Sequence, residues 1–182
     1  MKNKVWFAVG IAVGIAICVA VPLLMAAFGV INMGATTKPG AVERTLAPWV
    51  VDRSRQRRAP RETDPYTNAV AVSTGLDHYR EDCVVCHGAP NVDAGELAKG
   101  LNPPAPKLQS SDTQAMSDGE LFWTIKHGVR MTGMPAFEPT HTDEQIWMIV
   151  AFVRHLAKLT PAEAAQLRTA IGTETHPVAK PQ

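Results

Sequence analysis

The clearest chemical signal in the chain comes from two cysteines and the histidine that follows them. Cys83 and Cys86 are separated by two residues, and His87 comes directly after the second cysteine. Two thiols at this spacing can form thioether bonds to the two vinyl groups of one haem, and the adjacent imidazole can ligate the iron. The pattern therefore predicts one covalently bound haem c.

Two other uses of a paired cysteine fit the sequence less well. A structural zinc site needs four suitably spaced donors, but the only other cysteine, Cys18, lies in an apolar run. A redox-active dithiol has no use for His87 and is expected within a βαβ pattern, which the sequence lacks. Haem attachment remains the preferred interpretation of the motif.

The N-terminal segment is apolar enough to cross a membrane. No charged residue occurs from Val5 to Ile31, and a helix of this length is about 40 Å long, against roughly 30 Å for the hydrocarbon core of a bilayer. We therefore predict a single transmembrane anchor in residues 1–31. A cleaved signal peptide is the alternative, although its apolar part should be only about 7 to 15 residues long. Gly10 and Gly14 permit a partner transmembrane helix, but a Gly/Ala-rich segment contains such spacings by chance as well.

Charge is divided unevenly along the rest of the chain. Residues 38–61 contain 7 Lys and Arg against 2 Asp and Glu, whereas residues 66–159 contain 7 against 11. The acidic part would repel phosphate, so we expect no nucleic-acid binding. We interpret residues 32–65 as a basic linker punctuated by Pro and Gly, mostly a spacer, with a short membrane-surface helix around Trp49 as the alternative.

The remaining pattern is helical. Val72, Leu76, Tyr79 and Cys83 fall on one face of a helix that ends at the motif. Capping boxes at Ser117–Glu120 and Thr142–Gln145 begin two more helices, and Pro161 begins another. We predict a mainly α-helical haem domain over residues 66–159, followed by a short helix and tail over residues 160–182. The domain also contains histidines that we interpret as solvated or capping side chains: His78, His127, His141 and His155.

Residues 70–159 resemble a class I cytochrome c domain. The matching features are Gly75 and Tyr79 ahead of the Cys83–Gly88 segment, the Pro-rich loop ending at Leu108, the segment His127–Phe137 with Met134 before Pro135, and a last helix bearing Trp147. The resemblance implies helices around one haem, with the first and last helices crossing where Gly75 permits contact.

The same resemblance implies the roles of the site residues. His87 would be the proximal ligand of the iron, and Met134, directly before Pro135, the distal one. A carbonyl in the Pro103/Pro104 loop would accept the hydrogen bond of the His87 ring N–H. Between the two nearby methionines we favour Met134, because Pro135 biases it towards an extended conformation. Met131 is expected to pack against the porphyrin edge.

The functional expectation is electron transfer rather than catalysis, because two axial ligands leave the iron no open site. We expect a membrane-tethered carrier of a bacterial respiratory or dehydrogenase chain, with its haem domain on the periplasmic side of the inner membrane and redox proteins as partners. Lys99, Lys107, Lys126 and Arg130 are either a docking patch or ordinary solvated charges. The alternatives are a cytochrome subunit of a larger membrane oxidoreductase, or a haem enzyme or gas sensor with a labile sixth ligand.

Overall fold

The computed structural model describes residues 2–172 and is mainly α-helical. The α-helices are α1 (Lys2–Ala27), α2 (Ala41–Arg58), α3 (Ala69–His78), α4 (Val84–His87), α5 (Ser111–Gln114), α6 (Asp118–His127), α7 (Asp143–His155) and α8 (Pro161–Gly172). A π-helical turn (Tyr79–Cys83) joins α3 to α4, and short 3₁₀ helices span Glu96–Gly100 and Leu156–Lys158. The described residues contain no strand beyond one isolated bridge between Ala89 and Val92, which confirms the predicted fold class.

Helix α1 lies in the first of two compact units, residues 1–38. Its segment Asn3–Ala27 has a mean hydropathy of 2.7, and none of this apolar segment is buried. An exposed apolar helix of this length is stable in a bilayer but not in water, since every apolar side chain would contact solvent. Helix α1 is therefore a candidate membrane anchor.

The second unit, residues 39–182, begins with a helix that is longer than we predicted from the sequence. We predicted mostly a spacer, whereas residues 41–58 form the continuous helix α2. Its C-terminal part packs on α6, where Arg55 Nε lies 3.5 Å from Glu120 Oε1. Just beyond it, the Pro60 carbonyl fits against Gly119 in a space that a Cβ atom would fill. These tertiary contacts stabilise a segment that its basic composition alone would leave solvated.

Helices α3 and α7 form the centre of the haem domain. Gly75 makes their close approach possible, because a Cβ atom there would collide with the Met148 carbonyl and meet Phe152 Cβ at 2.9 Å. Phe152 is fully buried and lies next to the Tyr79 ring at a centroid distance of 5.1 Å. The crossing that the resemblance implied at Gly75 is present in the structure.

The core extends on both sides of this crossing. Phe122 of α6 stacks on Trp147 of α7 with ring centroids 4.4 Å apart. Helix α8 contributes Leu167, which is fully buried in the same cluster. Residues 161–172 are thus packed into the haem domain, while the predicted tail over residues 173–182 lies outside the described residues.

We predict that Gly75→Ala destabilises the haem domain by roughly 1–3 kcal/mol, because the added methyl forces α3 and α7 apart. Gly100→Ala is the matched control, since nothing lies within 4 Å of the position its Cβ would take. The free energy of unfolding in urea, followed by helical circular dichroism, measures both. Equal stabilities of the two variants would contradict the close-packed crossing.

Candidate haem-binding site

The cysteine motif lies at the end of the first helix of the haem domain. Cys83 is buried at the end of the π-helical turn, and half-buried Cys86 lies on α4. Burial raises the pKa of the Cys83 thiol, with the nearby Asp82 carboxylate adding to the effect. Cys83 is therefore a protonated thiol that faces the core. A cysteine that forms a thioether bond to a buried haem would face the same way.

Tyr79 holds this helix end in place. Its hydroxyl donates to the Gly88 carbonyl at 2.6 Å, directly after the motif, and its side chain is fully buried. Burial raises the pKa of Tyr79, so the hydroxyl remains a proton donor. Gly88 has φ 60°, a left-handed conformation in which glycine is favoured, and it ends α4 immediately after His87.

Tyr79→Phe is expected to lower the free energy of unfolding by about 1–3 kcal/mol, because the Gly88 carbonyl then loses its buried donor. The ring contact with Phe152 is retained in this variant, so the change isolates the hydroxyl. Urea unfolding of the haem-containing protein measures the loss. An unchanged stability would mean that water replaces the hydroxyl, and that Tyr79 does not position the motif.

His87 is oriented by the Pro-rich loop. Its Nδ1 lies 2.8 Å from the Pro106 carbonyl oxygen, which can only accept, so Nδ1 carries the proton. The Nε2 lone pair is then available to a metal, as in the usual arrangement of ligating histidines. Burial lowers the pKa of His87, and this effect outweighs the opposing hydrogen bond to Pro106, so the neutral ligating form is favoured.

The accepting carbonyl lies in the loop where we expected it. We placed it in the Pro103/Pro104 loop, and within that loop it belongs to Pro106. Pro103 and Pro104 are exposed in the structure, earlier in the same loop. The loop comes close to His87 only near Leu108. The Leu108 side chain packs against the core and fixes this end of the loop.

Met134 and Met131 occupy different environments. Met134 is partly buried and packs against the core cluster, whereas Met131 is 77% exposed. The backbone at Met134 is fixed on both sides, because its N–H donates to Thr132 Oγ1 at 3.1 Å and its carbonyl accepts from Val129 N–H at 3.2 Å. The expected packing of Met131 against a porphyrin edge stays a prediction.

Glycines shape the loop that carries Met134. Gly128 has φ 63°, and a Cβ atom there would meet the Pro135 backbone at 2.5 Å. Gly133, one residue before Met134, has no left-handed φ. It is instead packed against the Leu101 side chain, in space that a Cβ atom would fill. The methionine loop and the loop containing Leu101 and Pro106 therefore touch each other.

The predicted donors fit a c-type haem. The chain offers two thiols on consecutive helical turns, a neutral imidazole whose Nε2 is available to a metal, and a core-packed thioether. The loop that contains Leu101 and Pro106 contacts the loop that carries Met134, and the contact is made at Gly133. When bound, haem iron supplies a one-electron exchange between its ferric and ferrous states.

Two of the four candidate docking cations have partners within the chain. Lys126 is only 19% exposed and its Nζ lies 2.7 Å from Asp143 and 3.7 Å from Glu138. The Lys99 ammonium lies 2.6 Å from Glu96. The charge of these lysines is partly neutralised, which weakens the interpretation of the four residues as one basic docking patch.

A comparison with known protein families matches residues 70–153 to the model of cytochrome c oxidase, cbb3-type, subunit III. The matched segment begins in α3, ends in α7 and contains the cysteine motif, the Pro-rich loop and the methionine loop. It agrees with the resemblance derived from the residues. Residues 70–153 thus match a class I c-type cytochrome domain, a family of helical haem c-binding units that transfer electrons.

Proposed function

We propose that the chain is a membrane-tethered, one-haem cytochrome that passes single electrons between redox partners of a respiratory chain. The observation that carries this proposal is the hydrogen bond from His87 Nδ1 to the Pro106 carbonyl, which leaves Nε2 for iron beside the paired cysteines. In the proposal, Cys83 and Cys86 hold the haem covalently, His87 is the proximal ligand and Met134 the distal one.

The ligand set accounts for a carrier rather than an enzyme. Two protein ligands on the iron leave no coordination position for a substrate, and a thioether ligand raises the reduction potential. The chain's own contribution is to fix His87 through Pro106, to keep the thioether of Met134 in the core, and to exclude water from the cysteine side of the site. Each of these tasks favours rapid electron exchange without other chemistry.

The family match supports a second form of this function. The matched family is named for a subunit of a cbb3-type oxidase, which suggests that the chain is a dedicated cytochrome subunit of an oxidase complex rather than a free carrier. Helix α1 suits that role, because Gly10 and Gly14 are unobstructed in the structure and another helix can approach them closely. A haem enzyme or gas sensor has no comparable observation in its favour.

The proposed location is the bacterial inner membrane. Helix α1, within residues 1–31, is the anchor, residues 32–65 connect it to the haem domain of residues 66–159, and residues 160–182 follow. Lysines and arginines flank both ends of the anchor, so charge does not decide its orientation. We place the haem domain in the periplasm because c-type haem is attached outside the cytoplasm in the family that the chain resembles.

A potentiometric titration of the purified protein tests the function. We expect one reversible transition that fits a single electron, with all of the haem absorbance changing together. Two transitions would contradict the one-haem proposal, and an irreversible or absent transition would contradict the carrier. Native electrophoresis of detergent-extracted membranes then separates the two forms, since a subunit migrates with other haem proteins and a carrier migrates alone.

A further inference from the structure

A second cluster of side chains with donor atoms for a metal ion contains none of the proposed iron ligands. His78, Asp82 and His141 each offer one donor atom, and these three atoms lie within 4.8 Å of one another. His78 and Asp82 are four residues apart at the junction of α3 with the π-helical turn, and therefore share one helix face. His141 comes from the segment just before α7, so the cluster joins two separate parts of the chain.

The distance between the Asp82 and His141 donor atoms matches a small divalent cation. Nε2 of His141 lies 3.2 Å from Asp82 Oδ2. Two ligands of a tetrahedral Zn²⁺ with bonds of about 2.0–2.1 Å are separated by roughly 3.3 Å. The His78 and His141 rings are neighbours, with centroids 5.0 Å apart and an angle of 66° between the ring planes.

The hydrogen bonds of His141 are compatible with a ligating imidazole. His141 Nδ1 lies 2.9 Å from Thr140 Oγ1, and the Thr140 hydroxyl can donate to the Phe137 carbonyl, 3.3 Å away. In the tautomer in which Nδ1 donates to Thr140, Nε2 presents its lone pair beside the Asp82 carboxylate, where the two can share a cation. In the other tautomer, Nε2–H donates to Asp82 and no ion is needed. A ligating histidine that donates its other N–H is the usual arrangement in metal sites.

Burial also suits a bound ion. The His141 side chain is 9% exposed and Asp82 is 32% exposed, so the ligands are held by packing while one side remains open to solvent. The Phe137 ring covers His141 from another side at 5.4 Å. Two imidazoles with one carboxylate and an open position are typical of Zn²⁺, whereas Ca²⁺ and Mg²⁺ prefer oxygen ligands throughout.

We propose that His78, Asp82 and His141 form a binding site for one Zn²⁺ or a similar divalent transition metal, separate from the haem. The ion would fasten the helical turn before Cys83 to the segment before α7. Because the folded protein binds the ion and the unfolded chain does not present the three donors together, the metal is expected to raise the thermal unfolding midpoint.

Calorimetric titration of the chelator-treated, tag-free, haem-containing full chain with ZnCl₂ tests the site. We expect one Zn²⁺ per chain, with no comparable binding of MgCl₂. His141→Ala, His78→Gln and the isosteric Asp82→Asn should each weaken Zn²⁺ binding by at least about 10-fold. His127→Ala is the control, because that histidine lies beside Glu138 and outside the cluster. Unchanged haem absorption in each variant shows that the domain is intact.

X-ray absorption at the zinc edge supplies a second readout that does not depend on the variants. The loaded protein should show two imidazole ligands together with oxygen ligands. Binding only at millimolar Zn²⁺, equal binding by the three variants and the control, or a zinc shell without imidazole would each overturn the proposal. The contact between Asp82 and His141 would then be an ion pair that joins the two segments.

Discussion

A protein in which both Cys83 and Cys86 are replaced by alanine is expected to retain no covalently bound haem. Thioether bonds keep a haem on the polypeptide after denaturation, whereas a ligated but unattached haem is released when the fold is lost. In acidified acetone, the haem of the unaltered protein should stay with the precipitated chain. The double variant, if it acquires haem at all, should release it into the organic phase.

Cys18→Ala is the matched control for this experiment. Cys18 lies exposed on α1, in the other compact unit, and takes no part in the motif. This variant should keep its haem as the unaltered protein does. Extraction of haem from the unaltered protein would contradict covalent attachment, and retention by the double variant would place the attachment at other residues.

Met134→Ala is expected to open the sixth coordination position of the iron. Loss of the thioether should abolish the weak ferric sulfur-to-iron absorption band at the red end of the spectrum and lower the reduction potential. We assign the distal position to Met134 because it is the methionine of this loop that packs against the core. Hydrogen bonds with Thr132 and Val129 fix its backbone.

Met131→Ala is the comparison, because Met131 lies three residues away in the same loop but is 77% exposed. Its φ of 62° is a left-handed conformation that is unfavourable for methionine and alanine alike, because both carry a Cβ atom, so the substitution leaves the backbone strain unchanged and removes only an exposed thioether. The absorption band and the potential should remain unchanged. If Met131→Ala removed the band and Met134→Ala preserved it, the assignment of the two residues would be reversed.

The helix ends could be predicted from the sequence because their signals are local. Both capping boxes form as expected, with the Ser117 and Thr142 side chains accepting from the backbone three residues on. Gly128 ends α6 with a left-handed φ. Each of these features depends on one residue and its immediate backbone, which a sequence displays directly.

The features that the sequence did not predict depend on contacts between distant residues. Helix α2 is fastened to α6 through Arg55 and Pro60, and no pattern in the basic segment indicates these partners. Arg154, in the last turn of α7, donates to Asp118 and to the Gln114 carbonyl, partners about 40 residues earlier in the chain. The choice of Pro106 over Pro103 and Pro104 likewise depends on the path of the loop, since all three prolines present a carbonyl.

Exposure of the reduced, unaltered protein to carbon monoxide tests the central claim most directly, because that ligand binds ferrous haem iron only where a coordination position is open. A carrier with His87 and Met134 on the iron should show no change in its absorption spectrum over minutes at saturating gas. Rapid formation of a carbon monoxide complex by the whole haem population would show that the distal position is open. In that case the account of a closed electron carrier is wrong, and a haem enzyme or gas sensor takes its place.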